Sequence, residues 1–275
     1  MVRVIGFLVG LGFVVVLGYS LIVGASAYLS DPPEETVEHE FHHHPKQVSF
    51  ASDGPFGRFD RAQLQRGYRV YEEVCAVCHS LRYVAFRNLQ ALEFSEAEVD
   101  ALAAQWQIPD INPETGEAEM REGIASDYFP SPYANDAAAR AANNNAIPPD
   151  LSLIAKARHD GAAYVYSLLT GYEDPPAELP EANRPGPGLY YNPYFPNLNL
   201  AMMPPLTADG QVTYDDGTEA TVEQMAKDVS AFLIWTAEPK LEARKSTGWA
   251  VLIFLVFATV LAFLAKRNVW RDQKH

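Results

Sequence analysis

The chain has 275 residues, with 35 acidic against 21 basic side chains for a formal net charge of −14, and 48% of it is apolar. That length holds one sizeable domain with membrane segments beside it. The acidity argues against nucleic acid, which favours a basic surface, and suits either a basic protein partner or plain solubility.

Residues 4–28 are apolar almost throughout, with Arg3 just before them. The run is long for a signal-peptide core and long enough to cross a bilayer. Ala25-Ser26-Ala27 offers an A-x-A-like cleavage site. Residues 1–29 therefore read as an export signal or a retained membrane anchor, and either one exports the domain behind it. Residues 30–52 read as a linker that opens on Asp31-Pro32-Pro33-Glu34-Glu35 and carries His39, His42, His43 and His44. Clustered imidazoles can hold a metal, but no periodic pattern fixes their geometry here. A solvated or partner-facing loop is the simpler reading.

Asp60 suits a helix cap, and Leu64, Tyr68, Tyr71 and Val74 recur at three- and four-residue steps after it. A helix from Arg61 should run into the next motif. Gly67 lies inside it and costs about 1 kcal/mol against alanine, which predicts a close crossing by another helix.

Both cysteines of the chain fall in Cys75-Ala76-Val77-Cys78-His79. C-x-x-C-H is the pattern for covalent attachment of a c-type haem. Two thiols one turn apart can each add to a vinyl group, and the adjacent imidazole serves as the proximal iron ligand. The other readings fit less well. Zinc wants a second ligand pair, a thioredoxin-like dithiol does not need His79, and a disulfide across so short a loop is strained.

Ser95 and Glu98 form a capping box for a helix over Ser95–Trp106. Residues 108–123 read as loop. Asn135–Asn145 is an Ala-rich helix, and Ile147-Pro148-Pro149-Asp150 turns the chain. Leu151–Leu169 reads as helix broken near His159-Asp160-Gly161, and Pro175–Pro196 is irregular. Leu200-Ala201-Met202-Met203-Pro204-Pro205 is a Pro-stiffened loop, and Gln211–Tyr214 with Asp215-Asp216-Gly217 suggests a small hairpin. Val222–Glu238 is amphipathic through Val229, Phe232, Leu233 and Trp235, and is the expected partner across Gly67. Trp249–Ala265 carries no charge, and with Thr247 and Gly248 it has about the length of a bilayer core. Lys266, Arg267, Arg271 and Lys274 outnumber Arg244 and Lys245 before it, which places the C-terminus inside.

A second iron ligand would be a methionine or histidine. Met1 belongs to the export segment, Met120 to a loop and Met225 to an expected core face. Met202 and Met203 lie in the stiffened loop, with His159 as a competitor, and the chain pattern does not choose between the two methionines.

The sequence resembles the cytochrome c1 family. The likeness runs over about residues 50 to 270. It includes Arg66–Tyr71 before the thiol motif and Ser80–Leu89 after it, Ser126–Pro130, Ala137–Asn144, Pro148–Ser152, Ala157–His159, Tyr164–Tyr172, Tyr190–Pro196, Met202–Pro205 and Ala226–Val229. The resemblance implies a mainly α fold: a cytochrome c-type haem domain over 53–241 with long loop insertions and a small β-hairpin. A C-terminal transmembrane helix over 246–266 and a cytoplasmic tail over 267–275 would complete it. It implies one covalently attached haem c on Cys75 and Cys78, with His79 and Met202 as iron ligands, Met202 being chosen by aligning the two prolines. Arg158 and Tyr164 would meet a haem propionate, and Asn143 and Pro149 would line the crevice. The implied role is electron transfer in the cytochrome bc1 complex, with cytochrome b, a Rieske iron–sulfur subunit and a c-type cytochrome acceptor as partners. That complex is a dimer in the bacterial inner membrane, with its haem domain in the periplasm. Glu72, Glu73, Glu93, Glu96 and Glu98 are candidate docking acids. A c-type subunit of another membrane oxidase, or a haem sensor with an open sixth site, is the alternative. The long leader and the His cluster depart from the family pattern.

Overall fold

A computed structural model describes residues 1–32 and 36–271. Pro33, Glu34 and Glu35 of the expected linker, and Lys274 of the basic tail, lie outside the described residues. The chain divides into two compact units, residues 1–41 and 42–275.

The first unit holds α1 (Val2–Ser30) and α2 (Val37–Phe41). No residue of α1 is buried. Its 29 residues at 1.5 Å each give about 44 Å, more than the ~30 Å of a bilayer core.

In the second unit, α3 (Arg61–Val70) starts where the sequence places it. The Asp60 side chain accepts the Gln63 N–H at 3.2 Å. Leu64, Tyr68 and Tyr71 point into the core. α4 (Glu96–Ala104) carries the expected capping box: Glu98 accepts the Ser95 N–H at 2.7 Å, and the Ser95 hydroxyl accepts the Glu98 N–H at 3.3 Å.

Two expectations fail next, and both concern β structure. Residues 108–123, read as loop, contain β1 (Gln107–Ile111) paired antiparallel with β2 (Ala118–Glu122), with Pro109 opposite Met120. Arg121 fastens this hairpin by bonding both Asp110 and Asp127. Gln211–Gly217, read as a hairpin, has no strand. Val212 and Tyr214 are buried. Asp216 and Asp215 are drawn instead to Arg66 and Arg69 of α3, at 2.6 and 3.6 Å.

α5 (Asp136–Ala142) is capped by Asn135, which accepts the Ala138 N–H at 2.9 Å. The helix expected over 151–169 is α6 (Ile154–Ala157) and α7 (Gly161–Leu169), broken at Arg158–Asp160. A two-residue ladder, β3 (Tyr190–Tyr191) with β4 (Asn199–Leu200), closes the Pro-rich stretch. α8 (Val222–Ala237) and α9 (Leu241–Val269) come last, and α9 buries nothing beyond Leu241.

The core is the crossing of α3 on α8. A Cβ at Gly67 would stand 2.1 Å from the Asp228 carbonyl oxygen and 2.7 Å from Phe232 Cβ, so only glycine lets the backbones meet. Around them Tyr68, Tyr71, Phe86, Phe129 and Phe232 pack edge-on or tilted, with Phe86 and Phe129 centroids 4.3 Å apart. Each such ring contributes about 1.5–3 kcal/mol by burial. Asp228 is fully buried and must be paired. It accepts from Gln63 at 2.9 Å, Gln224 at 2.8 Å and Arg66 at 2.8 Å.

Residues 42–52 are docked on this domain. Lys46 donates to the Thr170 carbonyl and hydroxyl at the end of α7, and the His43 N–H donates to the Pro193 carbonyl at 2.7 Å. Among the described residues no group of three or more His, Cys, Asp or Glu side chains is placed to hold a metal ion.

Candidate functional site

α3 does not run into the thiol motif as a regular helix. It widens into a single i→i+5 turn over Tyr71–Cys75, closed by the Ala76 N–H on the Tyr71 carbonyl at 2.8 Å. Such turns re-aim the residues after them. The His79 N–H then returns to the Cys75 carbonyl at 2.9 Å. Tyr71 is buried and donates to the His79 carbonyl oxygen at 3.1 Å, so the turn hangs from the core.

Cys75 and Cys78 are unpaired and half-buried. Burial, with Cys78 beside it, pushes the Cys75 thiol up to about 12. A reactive dithiol would show the opposite shift. The thioredoxin-like reading therefore fits less well.

His79 Nδ1 lies 2.8 Å from the Pro149 carbonyl oxygen. A carbonyl only accepts, so Nδ1 carries the hydrogen and Nε2 keeps its lone pair free for a metal. Burial lowers the pKa of the imidazole, partly offset by the Pro149 bond and the Asp150 charge, which favours the neutral, ligating form. Asp150 staples the two segments together. It accepts from the Ser80 hydroxyl at 2.7 Å, the Arg82 N–H at 2.9 Å and the Ser152 N–H at 3.0 Å. Asn143 joins the same group: the Tyr133 side chain stands beside those of Asn143 and Cys78, near enough for both to act on its hydroxyl. Asn143 itself donates to the Ala139 carbonyl at 2.7 Å at the end of α5.

A second group gathers around Tyr172. Its hydroxyl donates to the Met202 carbonyl oxygen at 3.0 Å, and the hydroxyls of Tyr164 and Tyr190 stand near enough to act on it electrostatically. Burial raises the Tyr164 hydroxyl, and the charge of the nearby Arg158 guanidinium pulls it back. The two residues expected to share a carboxylate are therefore neighbours. Met202 is half-buried, whereas Met203 is 64% exposed. Met225 lies in the core and Met120 on the exposed β2. The competing His159 is 96% exposed at its side chain and turned onto Asp160 at 2.8 Å.

Tyr133 and Tyr172 carry no spacing signature in the sequence, and their roles exist only once α5 and the Met202 loop are in place. Two of the candidate docking acids have internal duties: Glu72 accepts from Tyr68, and Glu98 caps α4. The segments that carry the site expose Val77, Ile147, Leu153, Leu189 and Tyr190. Unpaired thiols one turn apart, a free imidazole Nε2, a half-buried thioether and a neighbouring Arg–Tyr pair for carboxylates together fit a covalently attached haem.

Residues 50–273 match the sequence profile of the Cytochrome C1 family. "Cytochrome c1" of Rhodospirillum rubrum is 49% identical over 234 residues, which is 81% of this chain and 86% of that protein. "Cytochrome b/c1" of Bradyrhizobium diazoefficiens is 48% identical over 245 residues, or 82% of this chain, which spans 35% of that longer protein. "Cytochrome c1, heme protein, mitochondrial" of Saccharomyces cerevisiae is 47% identical over 231 residues, 84% of this chain and 74% of that protein. Agreement of this length takes in the thiol turn, the Met202 loop and the C-terminal apolar helix alike: the chain belongs to the cytochrome c1 family, the haem-bearing subunits of cytochrome bc1 complexes.

Proposed function

We propose that this chain is the one-electron relay of a quinol–cytochrome c reductase. It takes an electron from the Rieske iron–sulfur protein and passes it to a c-type cytochrome. The observation that carries the reading is the His79 Nδ1 contact to Pro149, which leaves Nε2 as a ligand beside two unpaired thiols. A bound haem c supplies the iron that alternates between ferrous and ferric states.

The residues divide the work. Cys75 and Cys78 hold the macrocycle as thioethers. His79 through its nitrogen and Met202 through its sulfur would ligate the iron, a pair that would favour the ferrous state more than two histidines would. Arg158 and Tyr164 bind a propionate, and Asn143 with Pro149 lines the crevice. No side chain is required as nucleophile or proton acceptor.

The partners are cytochrome b and the Rieske subunit in a dimeric complex. A relative whose name joins cytochrome b to c1 in one protein supports the first of these. The reading places the haem domain, residues 53–241, in the periplasm of a bacterium. The anchor over 246–266 then crosses the inner membrane, and the basic tail over 267–275 lies in the cytoplasm.

Quinol-driven reduction of the c-type absorbance in the purified complex tests this. Reduction should be fast with the Rieske subunit present and lost when that subunit is removed. Reduction that ignores its removal would contradict the role.

A further inference from the structure

Three residues on one face of the first turns of α9, Glu242, Lys245 and Trp249, all reach back to the segment before α3. Glu242 accepts the Phe59 N–H at 2.7 Å and pairs with Arg61 at 2.8 Å. The Lys245 ammonium donates to the carbonyls of Ser52 and Gly54, each at 2.6 Å, and of Gly57 at 3.3 Å. The Trp249 indole N–H donates to the Pro55 carbonyl at 3.4 Å. Phe56 at the tip stacks flat on Trp249, with centroids 5.1 Å apart and planes 10° off parallel, yet it remains 75% exposed.

We propose that the 52–57 loop is a second membrane contact, seating Phe56 in the lipid interface beside the anchor helix. The inference rests on the reading that the apolar part of α9 spans the bilayer. Trp249 is the first residue of that uncharged run, so a ring stacked on it sits at the same depth. Aromatic rings are favoured there.

A loop entering that zone must satisfy its polar backbone, because lipid offers no partners. This loop does so. Lys245 takes three carbonyls and Trp249 a fourth, Pro55 has no N–H, and the Arg58 N–H bonds the Ala51 carbonyl at 2.9 Å. The turn is so tight that a Cβ at Gly57 would stand 1.9 Å from the Asp53 carbonyl oxygen. The same contacts give two charges before the span, Glu242 and Lys245, internal partners. The haem domain would then meet the bilayer through a braced two-point seat instead of a single swivelling helix.

The test uses the full-length, haem-loaded protein in phosphatidylcholine vesicles, with the iron kept ferrous. Cys75 and Cys78 are consumed by the haem, so Phe56→Cys supplies the one free thiol for a nitroxide label. Oxygen partitions into lipid and a nickel chelate stays in water. The label at 56 should show several-fold more oxygen than nickel access, as Ile253→Cys does within the span and Glu114→Cys on the hairpin does not. Pro55→Cys, outside the stack, repeats the reading should the label at 56 disturb its own site. A label at 56 that behaves like 114 while 253 stays protected overturns the loop proposal and leaves the anchor standing. Water access at 253 overturns both. A label that is aqueous in vesicles but shielded from both reagents in the assembled complex assigns the loop to a neighbouring subunit and overturns the lipid contact.

Discussion

Gly67 and Asp228 meet backbone to backbone where α3 crosses α8, and a single Cβ at residue 67 would lie 2.1 Å from the Asp228 carbonyl oxygen. That carbonyl cannot swing aside, because it belongs to a buried helix turn whose side chain holds Gln63 and Arg66. The thiol turn hangs from the far end of α3, so the crossing fixes the site as well as the core.

Gly67→Ala is therefore expected to cost about 3 kcal/mol or more, at the upper end of overpacking penalties. Denaturant midpoints of the haem-loaded protein check this, and haem content should fall with stability. An unchanged midpoint would mean the helices part at no cost.

Cys75→Ala and Cys78→Ala should each weaken covalent haem staining on a denaturing gel, and the double variant should abolish it. Staining that survives the double variant would refute thioether attachment.

Arg121 bridges Asp110 of the hairpin and Asp127 beyond it. Its guanidinium holds both carboxyls below their usual range. A carboxyl whose pKa drops on folding adds stability above its unfolded value, about 4, and loses it as pH falls through the lower folded value. Arg121→Gln should raise hairpin amide exchange a few-fold near neutral pH, with the difference from wild type closing below about pH 4. Haem content should not change. Equal exchange in the two proteins at neutral pH would show that the bridge contributes nothing.

The parts of the fold legible in the sequence are those written in local chemistry. Asp60 and the Ser95–Glu98 box mark helix starts because their side chains replace missing backbone partners within one turn. Gly67 announces a crossing because glycine is costly in a helix without one. The two β misreadings share a cause. Val212 and Tyr214 do alternate, but they alternate into the core while Arg66 and Arg69 claim the adjacent aspartates, so no partner strand forms. The real hairpin has mostly exposed, polar strands with no hydrophobic alternation. Its turn is set by Asn112, which accepts the N–H groups of Glu114 and Thr115 at 2.9 and 3.1 Å. The site divides the same way. Cys75, Cys78 and His79 are legible because covalent attachment dictates spacing. Tyr133 is not, because its place beside Asn143 and Cys78 arises only after the 130–145 segment is folded onto the thiol turn.

The central claim is a thioether-bound haem held between His79 and a sulfur on the opposite side. Redox titration of Met202→Leu against Met203→Leu, with covalent haem confirmed in both, tests it most directly. The account predicts a lowered midpoint potential for Met202→Leu and the wild-type value for Met203→Leu, whose side chain is exposed. The reverse pattern, or an unchanged potential in both, would contradict it.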